Sequence, residues 1–192
     1  LSFHEAAHAW AANRLGDPTA RHLGRLTLNP LAHIDWIGTV LFPLIASISG
    51  VPLIGWAKPV PVDMRNLRHP LRDFALVALA GPVSNLILAA GASMLFITLR
   101  LTDNFLNLGG QVLFLTVALN VMLAVFNLIP VPPLDGGNVL MGIVPLGAVR
   151  AINALRPYGF VIIYGLMLTG VIGAILAPVQ AFVRSFLLSF PL

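Results

Sequence analysis

From Asp73 to Leu99 runs one long apolar stretch, more than the roughly 20 apolar residues that carry a helix across a bilayer. In hydrocarbon every backbone N–H and C=O must be met inside the segment, so a crossing of this length is a helix. Gly81-Pro82 interrupts it, which is tolerated where neighbours or water meet the freed backbone groups. Composition removes the alternative of a large soluble core. Hydrophobic residues make up 58% of the 192, charged residues 9%, and mean hydropathy is +0.91. A soluble domain is about a quarter charged, and so few charges cannot cover a water-facing surface. The chain reads as an integral membrane protein. Its formal net charge of +4 then reports topology before it reports an acidic partner, and no basic, aromatic-interleaved patch points to nucleic acid. With no cysteine there is neither a disulfide framework nor a thiolate site.

The first helix is expected from the start to about Leu15, with Gly16 as its C-cap and Asp17-Pro18 ending the pattern. Leu1 stands only three residues before His4, and no signal peptide is visible, so about half of a first spanning helix is expected to precede it. A basic loop follows. Residues 36–55 are apolar but broken by Gly38, Pro43, Gly50, Pro52 and Gly55, too short and interrupted for a crossing. Residues 56–72 are proline-punctuated and basic. Further spans are expected over 73–99, 111–129 and 158–176, with 138–155 as an interfacial helix broken at Pro145 and a short apolar tail from 178 to 192. Trp10, Trp36 and Trp56 read as interfacial anchors. The fold class is therefore an all-α polytopic membrane bundle, a single domain over 1–192, with about four core spans, the first truncated.

The chemistry is carried by His4-Glu5-Ala6-Ala7-His8. Residues i and i+4 share a helix face, so the two imidazoles can reach one metal, and Glu5 is placed beside them to take a proton from water on that metal. Catalytic zinc wants three protein ligands and an open position. A downstream glutamate is excluded as the third, because Glu5 is the only glutamate; a downstream Gly/His continuation fails because Ala11 and Arg14 occupy those positions. Six aspartates and three histidines remain. Asp135 fits best: it follows an apolar span, where an ionised carboxylate is costly unless paired or bound to a cation, and the surrounding Val131-Pro132-Pro133-Leu134-Asp135-Gly136-Gly137 unwinds the backbone, as a cavity-lining segment does. Asp17, Asp63 and Asp73 read more simply as solvated or paired loop charges, and His22, His33 and His69 as loop residues.

Topology and charge bear on one another. Asp135 can share a depth with His4 and His8 if 36–55 dips in and returns as a re-entrant element. Arg14, Arg21, Arg25, Lys58, Arg65, Arg68, Arg72, Arg150 and Arg156 then fall on one side, with only Arg100 and Arg184 on the other. The positive-inside tendency makes that side cytoplasmic.

His4-Glu5-Ala6-Ala7-His8, then Gly81-Pro82-Val83-Ser84-Asn85, then Asn127 through Leu134-Asp135-Gly136-Gly137 together resemble the site-2 protease family of intramembrane zinc metalloproteases, over nearly the whole chain. The resemblance implies one Zn2+ held by His4, His8 and Asp135, Glu5 as general base and then acid, and Asn85 helping to hold the substrate strand or the oxyanion. It also implies strand-like structure within 36–62, a transmembrane protein as substrate, and a prokaryotic cell membrane. Neither a periplasmic peptide-binding domain nor a nucleotide-sensing domain of the kind some relatives carry is visible. Read from the residues alone, Asn85 has the alternative of an interhelical hydrogen-bonding group. Asn127 is open between bracing a broken helix end and a substrate-side role. Two other function classes stand beside the protease. A metal transporter would spread its polar groups along a crossing path, and a non-catalytic metal-binding scaffold would have no use for Glu5.

Overall fold

The computed structural model describes residues 1–50, 55–101 and 108–188. Among them every regular element is helical and none is a strand. Three helical runs are long and apolar enough to cross a membrane: Pro70–Leu99, Leu108–Asn127 and Leu146–Leu168. The protein is thus a polytopic helical membrane protein. It falls into two compact units, Leu1–Gly81 and Pro82–Leu192.

In the first unit, helix α1 (Ser2–Leu15) ends as the sequence predicts. Gly16 adopts φ 114° and its N–H closes on Ala12 O, a left-handed turn that an L side chain resists. A Cβ there would also lie 2.9 Å from Asn66 O. The alanines of α1 admit close packing: Ala11 and Ala12 are buried against Val77 of α4 (Pro70–Leu101), with Leu15, Val62 and Ala80 around them. A short helix α2 (Thr19–His22) follows.

Asp17 ties these pieces together. It is fully buried and its carboxylate accepts hydrogen bonds from Thr19 N (3.1 Å), Thr19 Oγ1 (2.5 Å), Asp63 N (2.7 Å) and Asn66 Nδ2 (2.9 Å). The expectation of a solvated loop charge is therefore corrected for Asp17, whose role is to join the end of α1 to residues 63–66. Asp63 does pair, with Arg65 at 2.6 Å. Asp73 caps the start of α4 by accepting from His69 N at 2.8 Å. His33 is buried, its Nε2 2.9 Å from Thr27 O.

Residues 36–55 leave and return. Asp35 Oδ1 accepts from Ile37 N and Gly38 N and starts a π-helical turn, Trp36–Leu41, that continues as α3 (Phe42–Ser49). At about 1.5 Å per residue this run is shorter than a bilayer core. The chain is back at its origin by Trp56, whose N–H donates to Gly38 O (3.1 Å) and whose carbonyl accepts from Thr39 Oγ1 (2.8 Å). Lys58 N then donates to His33 O (2.9 Å). Trp56 lies so close over Gly38 that a Cβ there would meet its ring at 2.4 Å, and it packs edge-on against Phe42. The out-and-back path agrees with the re-entrant reading. The strand-like structure expected within 36–62 is not there among the described residues: helix occupies the stretch to Ser49, and residues 55–63 form no ladder. The Asp35 cap favours helix over the β-propensity of this apolar run, and Pro59 and Pro61 have no N–H for a ladder. Residues 51–54 of the stretch lie outside the described residues.

In the second unit, α5 (Leu108–Asn127) is followed by α6 (Asp135–Met141), α7 (Leu146–Leu155), α8 (Gly159–Leu168) and α9 (Val171–Leu188). Its core joins Ala89 and Phe96 of α4, Val117 of α5, and Val183 and Leu187 of α9. Two expectations are corrected here. The last span is not 158–176, because Gly170 turns the chain at φ 79° between α8 and α9. Thr169-Gly170 sits inside an unbroken apolar run, so no polarity change marks it. The residues from 178, expected as a short tail, belong through Leu188 to a core helix. The break at Pro145 is present, but α7 and α8, joined by a 3-10 turn over Arg156–Tyr158, make one apolar run, Leu146–Leu168, that takes in Arg150 and Arg156.

Candidate metal centre

α1 places His4, Glu5 and His8 on its buried side. One helical turn apart, the two imidazoles meet with Nε2 atoms 3.0 Å apart and ring planes at 88°. His8 Nδ1 lies 2.7 Å from Val77 O, and a carbonyl at that distance accepts, so Nδ1 carries the proton. In the neutral ring Nε2 is then a bare lone pair turned toward His4. This is how metal-binding histidines are commonly oriented, with the far nitrogen held by a backbone carbonyl.

The backbone of α4 closes over the pair at Gly81. A Cβ on that residue would lie 2.4 Å from His8 Nε2 and 2.5 Å from His4 Cε1, so any side chain there would fill the space the nitrogens face. Two nitrogens bound tetrahedrally to zinc at about 2.0–2.1 Å sit near the observed separation, so these residues fit the metal. Glu5 is buried beside them and its carboxylate accepts no hydrogen bond from the described residues. That leaves it available as a base. Val77 and Gly81 are contributors that reasoning from the sequence missed; Gly81 was legible only as a letter in a motif, and a backbone carbonyl leaves no sequence signal at all.

The remaining expected site residues belong to the second unit. Asp135 opens α6 after Leu134, whose backbone is extended (φ −64°, ψ 156°). The loop before it is held tightly: Val131 N donates to Ile129 O (2.7 Å), Leu134 N to Val131 O (3.0 Å) and Gly137 N to Leu134 O (3.0 Å). Gly136 and Gly137 let α6 lie directly on that loop, since a Cβ at the first would come within 2.2 Å of Leu128 O and at the second within 2.7 Å of Pro132 N. Asp135 is thus presented by a rigid corner. Asn85 is buried in α4. Asn127 is half-buried at the end of α5, where Nδ2 donates to Leu123 O (2.9 Å) of its own helix.

Comparison with known proteins agrees with this chemistry. A family model described as peptidase family M50 matches residues 105–168. YwhC of Bacillus subtilis, a candidate zinc metalloprotease by name, is 38% identical over 183 residues, which cover 93% of this chain and 80% of that protein. Rip2 of Mycolicibacterium smegmatis, named likewise, is 33% identical over 174 residues, 88% of this chain and 63% of its own length. No solved structure matches the chain. With similarity of this extent to YwhC, the chain belongs to peptidase family M50, the site-2 protease family of metalloproteases.

Proposed function

We propose that this protein is an intramembrane zinc metalloprotease that hydrolyses peptide bonds of transmembrane substrates, with one Zn2+ held by His4, His8 and Asp135 and with Glu5 as its base. The observation that carries the reading is the His4–His8 pair: two buried imidazoles with Nε2 atoms 3.0 Å apart, one oriented by Val77 O and both facing a helix backbone that Gly81 keeps bare.

Bound zinc supplies Lewis acidity toward water and toward the scissile carbonyl. Glu5 takes one proton from the attacking water as its oxygen bonds to the carbonyl carbon, then delivers that proton to the leaving nitrogen as the C–N bond breaks. Val77 O keeps the His8 proton on Nδ1, so that Nε2 stays a donor of electrons. Asn85 and Asn127 are assigned to the substrate, as groups able to hold an extended backbone or the oxyanion. The re-entrant segment and the charges of residues 14–72 support a site opening toward the cytoplasm, in a prokaryotic cell membrane. Arg150 and Arg156, inside an apolar run, no longer count toward that bias.

Glu5→Gln tests the reading. The expected result is zinc content equal to wild type with cleavage of a transmembrane peptide reduced by about 10²–10⁴-fold, the range of a lost acid–base group. Cleavage equal to wild type removes Glu5 from the mechanism. Zinc binding with no cleavage by wild type of any peptide offered favours the metal-binding or transport alternative.

A further inference from the structure

Past Gln111 at its exposed start, α5 carries three polar side chains inside an apolar span: Thr116, Asn120 and Asn127. At about 100° per residue they fall within roughly 40° of one another, forming one row about 16 Å long that ends at Asn127. On one side of this row lie the packed residues Val117 and Ala124; on the other lie Leu115 and Leu119, both more than half exposed. All three polar residues are half-buried. The row therefore runs along the edge where the packed face of α5 gives way to its open face.

Among the described residues, the side-chain hydrogen bonds of the row stay within α5. Thr116 Oγ1 donates to Val112 O (2.7 Å), Asn120 Nδ2 to Thr116 O (2.8 Å) and Asn127 Nδ2 to Leu123 O (2.9 Å). Such back-bonding uses one N–H of each asparagine and leaves the other N–H and the side-chain carbonyl oxygen. Amide groups facing lipid are costly, and polar residues at such depth mark contact with another polar surface.

We propose that Thr116 and Asn120 continue the row of Asn127 as a docking edge for the substrate's transmembrane segment, selecting segments that carry hydrogen-bonding side chains such as Ser, Thr, Asn or Gln. The proposal rests on the protease reading above. A side-chain amide both donates and accepts, so it matches such residues on a neighbouring segment, where interhelical hydrogen bonds form. An all-leucine segment offers the row nothing.

The chain has no cysteine, so single cysteines can be placed one at a time. In the Glu5→Gln full-length protein in lipid nanodiscs, Thr116→Cys, Asn120→Cys, Leu115→Cys and Leu119→Cys are oxidised with synthetic transmembrane peptides bearing one cysteine and a central Asn or Ser. Cross-links from 116 and 120 but not from 115 and 119 are expected. In the otherwise wild-type enzyme, Asn120→Leu is expected to lower kcat/KM on the Asn- or Ser-bearing peptide about three- to fifteen-fold, mainly through KM. That range is the equivalent of one interhelical hydrogen bond. An all-leucine counterpart should be unaffected and zinc content unchanged. Equal cross-linking from 115 and 119, a cross-link between two copies through position 120, equal losses on both peptides, or lost zinc would each overturn the proposal. If wild type cleaves no peptide while 116 and 120 still cross-link, the protease reading fails and with it the substrate role, and the row is left as an edge that binds polar transmembrane segments.

Discussion

The two units of this protein are held together by different kinds of bond. In the first, side chains reach across long stretches of sequence to backbone groups: Asp17 to residues 63–66, Arg25 to Lys58 O and Pro59 O, Thr39 to Trp56 O. In the second, hydroxyl and amide side chains mostly bond a carbonyl three or four residues back in their own helix, as Thr116, Asn120, Asn127, Thr169 and Ser185 do. Contact between its helices is made by Ala89, Phe96, Val117, Val183 and Leu187. The difference follows from surroundings. Irregular backbone must find its partners individually, whereas helices in lipid have already met theirs and associate by packing. The His4–His8 pair is fixed by the first kind of construction, and Asp135 stands at a rigid corner built by the second.

The largest effect is expected where the first unit leaves no tolerance. Gly81→Val places carbon within about 2.5 Å of His8 Nε2 and His4 Cε1, closer than any non-bonded contact, so one imidazole must move. Zinc retained after purification, measured by elemental analysis, should fall to background. Gly91→Val is the control, because open space surrounds that helical glycine and its zinc content should match wild type. Equal zinc in both variants would mean that the close approach of α4 does not shape the pair.

Next comes Asp17. Burial raises its pKa, but the hydrogen bonds from Thr19, Asn66 and the Asp63 amide outweigh that and hold it below the ordinary 3.8. A carboxyl whose folded pKa is depressed stabilises the fold above its unfolded pKa and loses that contribution as pH falls through the folded value. Thermal stability should therefore decline as pH drops below about 4, with part of that decline absent in Asp17→Asn. At neutral pH the same variant should be destabilised by about 1–3 kcal/mol, because an amide presents N–H groups to donors that need an acceptor. A pH profile identical to wild type would show that the clamp is not ionic.

These contrasts also explain what could be read from the sequence. Helical spacing put His4 and His8 on one face, and the Gly16 cap, the Pro145 break and the out-and-back path of 36–55 all follow from local rules that the fold obeys. What escaped was set by tertiary context. Asp17 looks like any aspartate before a proline, and only folding brings residues 63–66 to it. Gly170 turns the chain within an apolar run, so hydropathy carries straight through and the sequence divides α9 between a last span ending at 176 and a tail from 178. The apolar run after Asp35 suits strand and helix alike, and its cap decides between them. Val77 acts through its carbonyl, which every residue has.

The smallest effect is the sharpest test of the comparison, because one substitution can be made in both regions. Thr39 Oγ1 donates to Trp56 O at 2.8 Å and accepts from Asp35 N at 3.1 Å, joining the two arms of the out-and-back segment. Thr169 Oγ1 donates to Gly165 O at 2.8 Å in its own helix, at an exposed position. Valine matches threonine in shape and removes only the hydroxyl. Thr39→Val should cost about 1–2 kcal/mol, since a half-buried carbonyl and N–H both lose a partner. Thr169→Val should stay within about 0.5 kcal/mol, because Gly165 O keeps its bond from Thr169 N at 2.9 Å and exposed substitutions away from such links are small. Unfolding followed in the same detergent gives both values on one scale. Equal costs would mean that side-chain links matter as little in the first unit as in the second, and the division drawn between them would fall.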